Sequence, residues 1–229
     1  LATGQAWIAS GSDLGGSLRN PASFCSVVGL RPSPGRVAFG AAGEGAFPSD
    51  LFAIPGQPFS VAGPMASNVP DVALLLDAMV GHHPRDPISL PRTETRYLDA
   101  VKSRTKPKKV AFSRDLGVTP VDQEVAEICE KAAKRFEQLG CIVEEAHPDF
   151  SDVQDIFQTW RAMSFYVGKK ALLDTNKDLL KPEVVWNIER AAEITVDDFA
   201  RVELARARYL DRAVTFFEEY DLLLSPATV

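Results

Sequence analysis

Apolar positions recur along this chain at two different periods, and the switches between them outline its elements. Ala6-Trp7-Ile8-Ala9 is a short apolar run bounded by Gly4 and Gly11, the pattern of a buried strand. Over residues 18–28 apolar and small residues mix ahead of Gly29, which predicts a short helix. Pro21 is tolerated only in the first turn of such a helix, so its N-terminus falls beside Ser17. Residues 31–64 are rich in Pro and Gly, with turn pairs at Pro34-Gly35 and Pro55-Gly56, and predict long irregular backbone. Asn68 and Pro70 then open a helix carrying Val72, Leu74, Leu75, Leu76, Ala78, Met79 and Val80, closed by Gly81. It is apolar nearly all round, the pattern of a buried helix.

After a polar, linker-like segment at residues 82–96 comes a strand–helix–strand unit. Val110-Ala111-Phe112 is the first strand. Thr119 is placed to cap the helix, with Pro120 at its first position and Asp122 in its first turn. Val125, Ile128, Cys129, Ala132, Ala133, Phe136 and Leu139 keep a helical stripe up to Gly140, and Cys141-Ile142-Val143 is the returning strand. Such a unit predicts parallel pairing in an α/β sheet. Residues 152–221 read as mostly helical. The last helix starts near Thr195 and buries Phe199, Val202, Ala205, Tyr209, Ala213 and Phe216; Leu222-Leu223-Leu224 follows as a further buried strand.

Composition narrows the class. With 229 residues, 45% of them apolar and 24% charged, the chain can form one large soluble domain. A net charge of −6 offers no broad attraction to nucleic acid or to an anionic membrane, and the basic run at residues 102–109 reads as a solvated connector. The densest apolar segment, residues 72–80, is interrupted by Asp77 and is far too short to span a bilayer. Cys25, Cys129 and Cys141 lack metal-ligand spacing and, being three, cannot all pair internally. They read as small buried hydrophobes in a reducing, cytoplasmic setting.

The candidate chemistry lies in Gly11-Ser12-Asp13-Leu14-Gly15-Gly16-Ser17-Leu18-Arg19. Adjacent glycines let the backbone turn and let another molecule approach the peptide closely. Successive amides in such a loop converge into a nest for negative charge, and a serine at its end has the setting of a nucleophile beside an oxyanion hole. The loop lacks the Gly-Lys-Ser/Thr ending of a phosphate-binding loop and the glycine spacing of a dinucleotide fingerprint. Alone, a Gly-Gly-Ser also serves tight packing or helix capping.

The run GSDLGGSLRNPASFCSVVGLRPSPGR, residues 11–36, closely resembles the signature of the amidase signature hydrolases. Gly63-Pro64-Met65-Ala66, the helix at residues 71–78, Asp86-Pro87, Asp115-Leu116-Gly117, Leu139-Gly140 and the segment from Tyr220 through Pro226 extend the resemblance over nearly the whole chain. It implies an α/β fold with a mixed central sheet covered by helices on both faces, incomplete at both ends. Residues 1–229 would then be a single amidase signature domain lacking its N-terminal part and its C-terminal end. It also implies an amide hydrolase with a Ser–Ser–Lys triad. Ser17 matches the nucleophile, and the backbone N–H groups of Leu14, Gly15, Gly16 and Ser17 would form the oxyanion hole. Asp13 and Arg19 match a charged pair that clamps the loop, a structural role favoured over carboxylate recognition by Arg19. Ser12 is expected to orient the loop through side-chain to backbone bonding. The relay serine and the lysine precede the Gly-Ser-Asp motif in the family; only sixteen residues precede Ser17, and Ser10 and Ser12 are too close to it to serve. The chain is therefore expected to be a portion of a longer amidase, inactive alone.

The resemblance implies no metal and no cofactor. Adjacent His82 and His83 point to opposite sides of an extended loop and read as a surface turn, and His147 stands alone before Pro148 with no visible partner in the sequence. Trp160, Phe165 and Tyr166 read as core ahead of acyl-pocket lining, and Asp197 and Asp198 as first-turn helix acids. The expected partner is a small-molecule amide, with no nucleic acid and no membrane; a homodimer stays open. Two other functions stand beside a freestanding amidase. One is the amidase subunit of a tRNA-dependent amidotransferase, in which the segment after Gly-Arg is compact; residues 37–62 are longer here and rich in Gly, Pro and Phe, favouring the freestanding enzyme. The other is a pseudoenzyme that uses the fold for binding, against which the intact Gly-Gly-Ser nest argues.

Overall fold

The computed structural model describes residues 1–39, 59–84, 86–103 and 105–229. The turn expected at Pro55-Gly56 lies outside the described residues. Apart from the last two residues, the chain divides into two compact units, Leu1–Thr105 and Lys106–Ala227. The architecture is α/β, and the described strands form two three-stranded sheets, one in each unit.

The first unit contains β1 (Ile8–Asp13), α1 (Arg19–Phe24), β2 (Val28–Gly29), β3 (Val61–Ala66), α2 (Val69–Met79) and α3 (Tyr97–Lys102). β3 is the central strand, antiparallel to both neighbours, with Ile8 opposite Ala66, Asp13 opposite Val61 and Gly29 opposite Met65. β1 thus runs through the Gly-Ser motif up to Asp13, where sequence indicates a loop, and it is not the buried strand expected at residues 6–9. Trp7 is 84% exposed. Pairing with β3 outweighs the weak strand preference of Gly11 and Ser12.

Three glycines make the centre of this unit. Leu18 is fully buried, and a Cβ on Gly11 would stand 3.1 Å from its Cδ2, one on Gly63 2.7 Å from its Cδ1, and one on Gly29 2.1 Å from its carbonyl oxygen. Glycine at these positions is the space that Leu18 fills. A methyl on Gly63 would also stand 2.2 Å from the Leu30 carbonyl oxygen, a backbone atom that cannot swing away. Gly63→Ala is therefore expected to cost about 1–3 kcal/mol by overpacking, read as a lowered urea midpoint; an unchanged midpoint would show that β3 can shift.

α2 starts where the sequence indicates: Asn68 Oδ1 accepts the Asp71 N–H at 2.9 Å. Val72, Ala73 and Leu76 are buried, but Leu74 is 45% exposed, so only one face packs. Leu76 joins Val37 and Val80 in a small core flanked by Leu30, Ala62, Met79 and Tyr97. The segment that reads as a linker is instead tied down. Buried Asp86 accepts the Phe39 N–H at 2.9 Å and the Ile88 N–H at 3.1 Å, and Ser89 Oγ donates to the Asp86 carbonyl at 2.6 Å. A buried carboxylate that satisfies several amides organises irregular backbone without regular structure.

The second unit contains β4 (Lys109–Phe112), α4 (Gln123–Gln138), β5 (Ile142–Glu145), α5 (Val153–Asn176), α6 (Pro182–Ala191), α7 (Val196–Glu219) and β6 (Leu222–Leu224). β4 is central and parallel to both neighbours, with Val110 opposite Val143 and Leu222. Val110, Ala111 and Phe112 are buried, as a central parallel strand requires, whereas Leu222 is 40% exposed on β6. α4 begins later than its sequence signal indicates. Asp122, not Thr119, is the cap; its Oδ1 accepts the Glu124 N–H at 2.8 Å, and Pro120 lies outside the helix. At α7 the signal and the structure agree: Thr195 and Asp198 exchange side-chain to backbone bonds in a capping box. Thr195→Ala is expected to lower stability by about 1 kcal/mol and to raise amide exchange in the first turn of α7.

Of the three thiols, Cys141 is buried, Cys129 is partly buried with its pKa raised by that burial, and Cys25 is exposed, against the expectation of a buried side chain. Among the described residues, no helix is long and apolar enough to cross a membrane.

Candidate active site

The site is the turn at residues 14–18, between the end of β1 and the start of α1. Strand alternation decides which side chain anchors it. Asp13 faces inward and is fully buried, while Ser12, one residue earlier, is exposed. Ser12 therefore does not orient the loop as expected; among the described residues its hydroxyl makes no hydrogen bond, because the strand carries it to the opposite face.

The Asp13 carboxylate gathers the turn around itself. Oδ1 accepts the Gly16 N–H at 2.8 Å and Arg19 Nη2 at 3.0 Å; Oδ2 accepts the Leu18 N–H at 3.2 Å and Arg19 Nε at 2.9 Å. This is a bidentate guanidinium–carboxylate pair with two backbone amides added. Arg31 closes the other side, donating from Nη1 to the Asp13 carbonyl at 2.8 Å, with the same nitrogen 3.9 Å from Oδ1. Burial alone would raise the Asp13 pKa, but the Arg19 bonds and the two amides outweigh it and bring it down to about 2. The carboxylate is charged throughout the physiological range.

Gly16 turns the chain. Its φ of +111° is a conformation that side chains rarely adopt, and a Cβ there would stand 2.7 Å from Asn20 Oδ1. Its carbonyl accepts the N–H groups of Arg19 and Asn20, at 2.9 and 2.8 Å, which starts α1. Ser17 is left exposed at the outer side of this turn, its backbone fixed between Gly16 and buried Leu18. Among the described residues the Ser17 hydroxyl makes no hydrogen bond.

The amides of the turn fall into two sets. The Gly16 N–H, one of four expected oxyanion donors, is engaged by Asp13, because the carboxylate that holds the turn needs it. The N–H groups of Leu14, Gly15 and Ser17 have no internal partner among the described residues. Two residues of the site carry signals that sequence reading passes over. Arg31 lies inside the resembling run and clamps Asp13; Leu18, next to the nucleophile position, is the plug on which the turn sits.

The other singled-out residues lie elsewhere. His147 Nδ1–H donates to the Pro148 carbonyl at 2.8 Å and the ring stacks on Phe150; Trp160 Nε1 donates to Glu203 at 2.6 Å. Asp198 serves the α7 cap. Among the described residues, no three His, Cys, Asp or Glu side chains are grouped to hold a metal.

Comparison with known proteins places this geometry in context. The chain is 32% identical over 228 residues to an acylamidase of Rhodococcus erythropolis, a match covering 99% of this chain and 46% of that one. It is 40% identical over 145 residues to a glutamyl-tRNA(Gln) amidotransferase subunit from Moorella thermoacetica, covering 63% of this chain and 28% of that one. Its fold superposes on the crystal structure of a bacterial aryl acylamidase of the amidase signature enzymes with a TM-score of 0.84 at 29% identity, over 98% of this chain and 46% of the other. The chain thus spans less than half the length of these relatives. The amidase family model matches residues 1–229, and the chain belongs to the amidase family.

Proposed function

We propose that this chain carries the nucleophile of an amidase. Ser17 Oγ attacks the carbonyl carbon of a carboxylic amide, and the N–H groups of Leu14, Gly15 and Ser17 stabilise the oxygen as it gains negative charge. The C–N bond then breaks, the nitrogen leaves as ammonia or an amine with the proton taken from Ser17, and an acyl-enzyme ester remains. Water hydrolyses that ester to the acid and restores the hydroxyl. A serine hydroxyl needs a base within hydrogen-bond reach. The resemblance implies that a lysine, relayed through a second serine, supplies it from sequence preceding Gly11. The observation that carries this reading is the turn itself: an exposed Ser17 beside open amides, on a scaffold that commits Asp13, Arg19 and Arg31 to holding it.

The acylamidase match extends over 99% of the chain, which favours a freestanding amidase, and the likeness to the bacterial aryl acylamidase points to aryl amides as the first substrates to test. The amidotransferase reading comes second, favoured by the higher identity of 40%, though over 63% of the chain. A direct comparison separates them. Release of aniline from acetanilide by the purified protein as encoded, with the lysine and second serine present and no tRNA added, is the expected result. Ammonia formed only from glutamine, and only with a charged tRNA and partner subunits, would establish the second reading. No hydrolysis of any amide by a folded protein would leave the binding-only alternative.

A further inference from the structure

Asn20 stands in the first turn of α1, and its side chain folds back over the turn that presents Ser17. A Cβ on Gly16 would stand 2.7 Å from Asn20 Oδ1 and 2.9 Å from both Cγ and Nδ2, so the carboxamide lies with its face against the Gly16 Cα. Glycine is what admits it there. Gly15, Ser17 and Asn20 are all exposed, so a substrate reaches the carboxamide and the candidate nucleophile directly from solvent.

Asn20 differs from the other three asparagines of the chain. Asn68 caps α2, Asn176 Oδ1 accepts from the Thr175 hydroxyl, and Asn187 Nδ2 donates to the Glu183 carbonyl. Among the described residues the Asn20 side chain makes no hydrogen bond, although it is held against the turn. A carboxamide carries two N–H donors and a carbonyl acceptor, and here both ends are unspent. The open amides of Leu14, Gly15 and Ser17 are donors only. A scissile amide brings a carbonyl oxygen that these can meet and, where it is secondary, an N–H that none of them can accept. Once substrate displaces water, that N–H needs an acceptor. Asn20 Oδ1 is a free one, lying against the residue next to Ser17.

We infer that Asn20 contacts the substrate and selects amides that carry an N–H on the scissile nitrogen. Oδ1 accepts that N–H while the carbonyl oxygen meets the open amides. The bond holds the leaving nitrogen as the C–N bond breaks and fixes the side on which it takes its proton. This assignment rests on Ser17 as the nucleophile of an amidase. The test compares kcat/KM for acetanilide with that for phenyl acetate, which has the same acyl group and a leaving oxygen without hydrogen, in the protein as encoded. Asn20→Leu keeps the size of the side chain and removes the acceptor. Its anilide-to-ester ratio is expected to fall roughly threefold to tenfold, the effect of one neutral hydrogen bond. Asn20→Asp keeps an oxygen acceptor, and its ratio should stay within about twofold of the parent's even where the added charge slows both substrates. Misfolding or a displaced Ser17 would slow both substrates alike and cancel in the ratio. An unchanged ratio in Asn20→Leu, or the same fall in Asn20→Asp, would overturn the assignment and leave the amidase reading in place. A folded parent protein that hydrolyses neither substrate would overturn both.

Discussion

Replacing Ser17 by Ala is expected to lower amide hydrolysis at least roughly a thousandfold and to leave stability within about 0.5 kcal/mol of the parent. The asymmetry follows from the site. Ser17 is exposed, and among the described residues its hydroxyl bonds to nothing, so removing the oxygen breaks no contact that holds the turn. The turn is held by Asp13, Arg19, Arg31 and buried Leu18, all of which the substitution leaves in place. A large fall in both rate and melting temperature would mean that Ser17 is part of the scaffold. An unchanged rate would remove it from the chemistry.

The second large effect belongs to Asp13. Asn has the same shape, but one of its two carboxylate oxygens becomes an NH2 group facing donors. Of the Gly16 N–H, the Leu18 N–H and the two Arg19 nitrogens, part would meet a donor in place of an acceptor, and two guanidinium groups would lose their counter-charge. Asp13 is buried but Arg19 is half exposed and screened by water, so leaving these donors unmatched costs about 1–3 kcal/mol; Asp13→Asn is expected to lower the urea midpoint clearly and to slow hydrolysis by loosening the Ser17 turn. The same carboxylate sets an acid limit. Its pKa falls from the ordinary 3.8 to about 2 in the folded chain, so between these values the unfolded chain binds more protons. Stability from this group is full above about pH 4 and is lost as pH falls towards about 2; the shift is worth about 2 kcal/mol at neutral pH. Urea midpoints measured from about pH 5 down to about pH 2 should fall less steeply in Asp13→Asn than in the parent. Parallel acid limbs would show that Asp13 is not the titrating group.

What the sequence reveals and what it hides divide along physical lines. The strand–helix–strand unit from Lys109 to Glu145, the cap at Asn68 and the capping box at Thr195 are local or periodic signals, and each stands in the structure where its pattern puts it. The start of α4 is misplaced because Thr119-Pro120 and Asp122 both carry cap chemistry, and the choice falls to Asp122. β1 and β3 are hidden because their strand character comes from pairing with each other. Residues such as Gly11, Gly63 and Pro64 have no preference for it, and Gly63 is there to admit Leu18 and the Leu30 carbonyl. At the site, the motif points to Ser17, Asp13 and Arg19. It does not show that Asp13 occupies the Gly16 amide, that alternation turns Ser12 away, or that Arg31 returns from beyond α1 to clamp the same carboxylate. Those are long-range or orientational facts, which a linear pattern does not encode.

The central claim is that Ser17 is an activated nucleophile, and labelling of the protein as encoded with a fluorophosphonate tests it most directly. The account predicts one phosphonyl adduct, located by peptide mass spectrometry on Ser17 and absent in Ser17→Ala. An adduct on another serine, or a folded protein that hydrolyses amides without any adduct at Ser17, would contradict it.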